Sequence, residues 1–252
     1  MRESWRSAPR GRTAAALALG VGLGAYYVWS ESLPDVSTWG DVAVLGLVVI
    51  PAVFALVYLA LPLRQARHLL LWGAGVGLLA AALEVLDFDV LANFAKLAAV
   101  TLLAFWFISY FETVAWVTVV ALIIPWVDAI SVWRGPTKHI VTKQPELFTT
   151  FSFAFPVPGE ANTAQLGLPD LMFFALFLGA ADRWGLRTKL TWAAMALSFG
   201  TTLALTVAFD ISGLPALPLL AFGFLVPNAD LLWRRLRAEN AWGSLSSERS
   251  SS

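Results

Sequence analysis

Eight apolar runs, at about 13–29, 41–62, 68–86, 90–110, 112–133, 166–183, 189–208 and 214–233, leave this chain little sequence from which to build anything but helices in lipid. A helix needs about 20 apolar residues to cross a hydrocarbon core of about 30 Å, and its backbone groups must find partners without water. Hydrophobic residues make up 58% of the chain and charged residues 13%, well outside soluble usage. The expected fold class is therefore all-α, a polytopic transmembrane helix bundle with eight spans. One polar loop, 134–165, is longer than the other connections and splits the chain into five spans and three.

The first run follows Arg2, Arg6, Arg10 and Arg12, as the hydrophobic region of a signal peptide would. It ends in Tyr26-Tyr27-Val28-Trp29 with no small-x-small cleavage site, and such aromatics suit a membrane interface. The run reads as a retained first span behind a basic cytoplasmic N-terminus, residues 1–12. Lysine and arginine in short loops mark the inner side. Arg64 and Arg67, then Arg183, Arg187 and Lys189, then Arg234, Arg235 and Arg237 all come out cytoplasmic on that count. The opposite connections carry Glu31, Asp35 and Asp41, then Glu84, Asp87 and Asp89, then Asp210. Arg134, Lys138 and Lys143 in the long loop run against the assignment, which still places both termini inside a prokaryotic plasma membrane. Residues 238–252 read from their serine content as a disordered tail.

Net charge is +0, so no basic field invites nucleic acid. There is no cysteine, which removes disulfides, thiolate nucleophiles and cysteine-held metals. His68 and His139 stand too far apart in the chain to suggest a metal pair, and no phosphate-binding glycine loop or nucleophile elbow occurs.

The chemistry-bearing residues are two aspartates inside apolar runs. Asp128 lies in Ile124-Pro125-Trp126-Val127-Asp128-Ala129-Ile130, and Asp170 follows Gln165-Leu166-Gly167-Leu168-Pro169. A carboxylate within a span is costly and functional by default. Asp128 precedes the end of the fifth span by about five residues, and Asp170 follows the start of the sixth by about four. At about 1.5 Å per residue both sit roughly 6–8 Å below the same surface. Antiparallel neighbours can then bring them together, and two such carboxyl groups share one proton. That is the working state of an aspartic protease pair, one group activating water and the other polarising a carbonyl. Gly213-Leu214-Pro215-Ala216-Leu217-Pro218 opens the last span at the same depth, where its prolines prevent regular helix.

Trp126-Val127-Asp128-Ala129-Ile130-Ser131-Val132-Trp133 with Thr137-Lys138-His139 resembles the first catalytic motif of the presenilin and signal peptide peptidase family, in its archaeal and bacterial-type members. Leu166-Gly167-Leu168-Pro169-Asp170 resembles the second, Gly-x-Gly-Asp, and Pro215-Ala216-Leu217 matches the Pro-Ala-Leu motif. Order and spacing agree over about 112–235, the catalytic core on this resemblance, while the helices of 13–110 match only in hydrophobicity. The resemblance implies a presenilin-like intramembrane aspartyl protease, with nine spans usual in the family. Asp128 and Asp170 would be its dyad, with Gly167, Leu168, Pro215, Ala216 and Leu217 against the substrate. It needs no cofactor or metal, and its partners would be transmembrane or signal-peptide helices unwound in the bilayer. Val127 replaces the usual tyrosine, and Pro169 replaces the second glycine. A proton- or cation-coupled transporter or channel, or a catalytically inactive homologue that binds membrane helices, are the alternative readings.

Around this site, Phe151-Ser152-Phe153-Ala154-Phe155 alternates at strand period, so it reads either as a segment that pairs with an opened substrate or as an interfacial aromatic stretch. Lys96 reads as the partner of a helix-end carboxylate, Glu84, Asp87 or Glu112. Gly20, Gly22 and Gly24, with Gly73, Gly75 and Gly77, read as close helix contacts, and Asn228 and Asp230 as interfacial.

Overall fold

A computed structural model describes residues 9–134, 149–211 and 214–250. The chain folds as a helical bundle with one β-hairpin. Its helices are α1 (Pro9–Trp29), α2 (Thr38–Val44), α3 (Ile50–Ala60), α4 (Leu69–Val85), α5 (Asp89–Phe107), α6 (Val114–Arg134), α7 (Leu168–Arg183), α8 (Thr188–Phe209) and α9 (Leu217–Ser250). Between α6 and α7 lie β1 (Ser152–Pro156) and β2 (Thr163–Gly167). Five helical stretches are long and apolar enough to cross a membrane: Gly11–Ser32, Thr38–Gln65, Asp89–Tyr110, Val114–Val132 and Thr188–Phe209. Exposed Leu17, Val21, Trp72, Leu78, Trp126 and Ile130 on the flanks suit a lipid environment. Thr137, Lys138, His139, Lys143 and Gly213 lie outside the described residues.

The helix α7 is the axis of the bundle. Leu171, Phe174, Leu176, Phe177, Leu178, Ala180 and Ala181 are all buried, on every side of the helix. A helix apolar all round is stable only when surrounded, and the rings that surround this one come from four partners. Phe105 of α5 lies against Gly179. Phe54 of α3 stacks on Phe174 at 4.0 Å, Phe224 of α9 stacks on Phe177 at 4.9 Å, and Phe199 of α8 lies 5.0 Å from Phe54. The sequence expectation began this helix at 166; its first residue is Leu168, because Leu166 and Gly167 belong to β2.

The path from α2 to α3 passes through a π turn, Leu45–Val49, in which the Ile50 N–H reaches back to the Leu45 carbonyl. Pro51 follows, with no N–H to give and a ring that crowds the preceding turn of a regular helix, so the wider turn accommodates it. Gly46 within the turn touches Gly200 of α8 backbone to backbone; a Cβ on Gly200 would meet the Gly46 carbonyl oxygen at 2.9 Å. Gly73 is likewise pressed against Leu103. Gly20, Gly22, Gly24 and Gly75 are not close contacts: nothing outside their own helix lies near them.

The basic turns gather at one end. Arg64 pairs with Asp182 at 2.9 Å, Arg183 donates to the Ile108 carbonyl, and Arg187 holds Asp230 through two hydrogen bonds of 2.6 and 2.8 Å. Asn228 is not interfacial but fully buried. Its amide accepts from the Arg187 N–H and donates to Thr191 Oγ1 and the Phe224 carbonyl, which removes the cost of burying it. Lys96 pairs with Glu84 at 3.0 Å, across the α4–α5 hairpin. The backbone of α9 stays helical through 238–250, the stretch that composition alone reads as a disordered tail.

Gly200→Ala is expected to force the α2–α3 stretch away from α8, because the clashing atoms are backbone and cannot rotate aside. The cost should be about 1–3 kcal/mol, read as a lower unfolding temperature in detergent. Gly24→Ala, facing open space, should leave that temperature unchanged.

Candidate functional site

Why α7 starts where it does decides where Asp170 sits. Strand β1 pairs antiparallel with β2 in the register Ser152↔Gly167, Phe153↔Leu166, Ala154↔Gln165, Phe155↔Ala164 and Pro156↔Thr163. The ladder ends with the Leu168 N–H donating to the Phe151 carbonyl at 3.0 Å. The chain therefore passes from strand to helix without a loop. Pro169 falls in the first turn, where a missing N–H removes no helical bond.

The hairpin is itself pinned from outside. Asn93 of α5 accepts from the Ala154 N–H at 2.9 Å and donates to the Ala154 carbonyl at 2.8 Å, so its amide occupies the outer edge of β1 as a neighbouring strand would. Tyr27 donates to the same carbonyl at 2.8 Å and Tyr26 to that of Pro156 at 2.7 Å. The aromatic stretch 151–155 is thus a strand with both edges occupied. The free edge belongs to β2, where alternation along the ladder turns the Gln165 N–H and carbonyl away from β1.

Asp170 is the third residue of α7 and bends back toward its start, with the Gly167 N–H against its carboxylate. A carboxylate at this position satisfies a free amide of the first turn. The approach is close: a Cβ on Gly167 would lie 3.3 Å from Asp170 Oδ2. Asp128 reaches a different helix start. Leu217, first residue of α9, donates its N–H to Asp128 Oδ2 at 3.0 Å. That donor is one of the amides a helix leaves unpaired at its N-terminus, and Pro218 beside it has none to offer. Two helix N-termini, each carrying partial positive charge, thereby converge on a pair of carboxylates near enough to act on each other electrostatically.

Both aspartates line one cavity of about 700 Å³. Of the residues singled out in the sequence, Gly167, Pro215, Ala216 and Leu217 also line it; Leu168 does not, its amide being spent on the hairpin and its side chain packed on the core. Phe151 and Phe155 of the alternating stretch line it too, as does Pro169. Sequence reasoning missed other parts of the wall, among them Ile50 of α3, Phe173 of α7, and Phe199, Thr202 and Thr206 of α8. It also missed Asn93, although an amide inside the run 90–110 is the kind of polar residue that hydrocarbon does not tolerate without a partner. No group of three or more histidine or acidic side chains able to hold a metal occurs among the described residues. No protein-family model matches the sequence, and no curated protein matches it.

Asn93→Leu is expected to unpin the hairpin while leaving the core of α7 in place. Losing both bonds to Ala154 should cost about 2 kcal/mol locally, or roughly thirtyfold faster amide exchange. Hydrogen exchange should rise across 152–156 and 163–167 and stay unchanged across 171–181.

Proposed function

We propose that the protein is an intramembrane aspartyl protease of the presenilin and signal peptide peptidase type, hydrolysing peptide bonds of transmembrane or signal-peptide helices with Asp128 and Asp170. The observation that carries this reading is the convergence of three distant segments, 128, 167–170 and 215–217, on a single cavity inside an apolar bundle. Such a cavity with a few convergent polar groups is the ordinary form of an active site.

The chemistry follows from a pair holding one proton. The ionised carboxylate takes a proton from water as the water oxygen attacks the peptide carbonyl carbon. The protonated partner gives its proton to the carbonyl oxygen, so a neutral tetrahedral species forms. Its collapse breaks the C–N bond, with a proton passing to the departing nitrogen and the pair returning to one proton. The N–H groups at the two helix starts hold the carboxylates in place and favour the charge that the pair keeps throughout. An unwound substrate segment finds a pairing edge on β2, at Gln165, directly beside the cavity. The basic turns at the opposite end support a topology with that end in the cytoplasm.

Cleavage of a transmembrane or signal-peptide substrate by the purified protein tests this. Asp128→Asn and Asp170→Asn should each lower cleavage by about a thousandfold or more, and Gly167→Ala by about tenfold by displacing Asp170. Wild-type protein that cleaves nothing, with activity gained on Pro169→Gly, would make the natural chain a binder of membrane helices. Proton or cation flux that depends on both aspartates, without cleavage in any form, would replace the protease with a transporter.

A further inference from the structure

A second cavity, of about 360 Å³, lies behind the hairpin, and its walls carry a much larger polar share than those of the dyad cavity. Ser30, Glu31, Asp89, Lys96, Asn162 and Thr163 line it, and Glu31, Asp89, Asn162 and Thr163 are exposed at its mouth. The hairpin is the partition between the two spaces. Period-two alternation puts Ser152, Ala154, Pro156, Thr163 and Gln165 toward the polar cavity, and Phe151, Phe155, Ala164 and Leu166 toward the dyad. One described residue lines both cavities, and it is Gln165, on the free edge of β2. Its side chain is held at that edge: the Ser152 hydroxyl donates to Oε1 at 2.9 Å, and Nε2 donates to Thr163 Oγ1 at 2.7 Å.

On the reading above, each turnover consumes one water inside the bundle. Most of the dyad cavity is phenyl and aliphatic wall, and apolar cavities do not hold water in reserve. The second cavity has room for several waters and the polar groups to hold them, Ser30, Glu31, Asp89, Lys96, Asn162 and Thr163. We propose that it is the water vestibule of the site, and that Gln165 is the gate through which water passes from it around the edge of β2 to Asp128 and Asp170. A substrate strand laid on that edge covers the passage, so the water that attacks is the water already admitted.

The absence of cysteine gives a test that needs no enzymatic activity. Ala164→Cys puts a thiol in the dyad cavity, and Ala161→Cys puts one at the vestibule mouth. In the full-length protein in lipid nanodiscs, silver ion, small and confined to water, is the probe; its reaction is read as protection from later maleimide labelling of the unfolded chain. Cys at 164 should react, about tenfold more slowly when Gln165→Trp is added and severalfold faster when Gln165→Ala is added. Cys at 161 should react at one rate in all three backgrounds, and a changed rate there marks Gln165→Trp as misfolded and leaves Gln165→Ala to decide. A thiol at 164 that does not react, or reacts at a rate indifferent to residue 165, overturns the proposal. If Gln165 controls labelling in a protein that cleaves nothing, the vestibule stands and the protease reading falls; cleavage with indifferent labelling gives the reverse.

Discussion

The backbone of Ala154 is held along the outer edge of its strand, by Asn93 at its N–H and carbonyl and by Tyr27 at the carbonyl again. Much of the candidate site is positioned through that contact. An isolated two-stranded hairpin is marginal even in water, and here it must sit against helices whose surfaces are apolar. The amide of Asn93 supplies what a third strand would, and two tyrosine hydroxyls from the end of α1 fix the hairpin's height. Once β1 is fixed, the ladder fixes β2, the Leu168–Phe151 bond fixes the first residue of α7, and Asp170 follows within one turn. The candidate catalytic residue is thus placed by α1 and α5, which contribute nothing to its chemistry.

Electrostatics come from the same economy of backbone. Every helix leaves N–H groups unpaired at its start, and in a water-poor interior these must be given acceptors. The starts of α7 and α9 take theirs from Asp170 and Asp128. Two half-buried acids are therefore stabilised by donors that needed them, which helps carboxylates persist in so apolar a bundle. Lys96, the intramembrane cation, is committed to Glu84 behind the hairpin.

How much of this was legible depended on whether the signal was periodic or pairwise. The apolar runs marked most helix ends to within a few residues, because burial or lipid contact over a whole turn leaves a pattern, but not the end of α9, which runs on to Ser250 through polar sequence. Asp128, Asp170 and the prolines at 215 and 218 stood out because each breaks such a pattern. The alternation at 151–155 announced a strand but not its partner: β2 is Thr-Ala-Gln-Leu-Gly, too short and too mixed to declare itself, and it adjoins an apolar run that absorbed its last two residues. Glycines divided in the same way. Gly200 and Gly73 sit at crossings and Gly20, Gly22 and Gly24 do not, a difference set by neighbours from elsewhere in the chain. Asn228 read as interfacial because its position near a helix end was visible, whereas Thr191 and the Arg187 amide, which make its burial tolerable, were not.

The proline at 169 sits in the same geometry. Gly167 has φ −58 and ψ 139, a conformation open to any residue, so glycine is favoured there for its missing side chain and not for its backbone freedom. A Cβ would crowd Asp170 Oδ2 at 3.3 Å, so the carboxylate would have to shift by a few tenths of an ångström. Position 169 carries no such demand. It lies in the first helical turn, where φ near −65° is the helical value and the absent N–H has no carbonyl to meet, and it is an exposed residue at the wall of the dyad cavity. The glycine at 167 leaves room for the carboxylate, and the proline at 169 stiffens the turn that carries it.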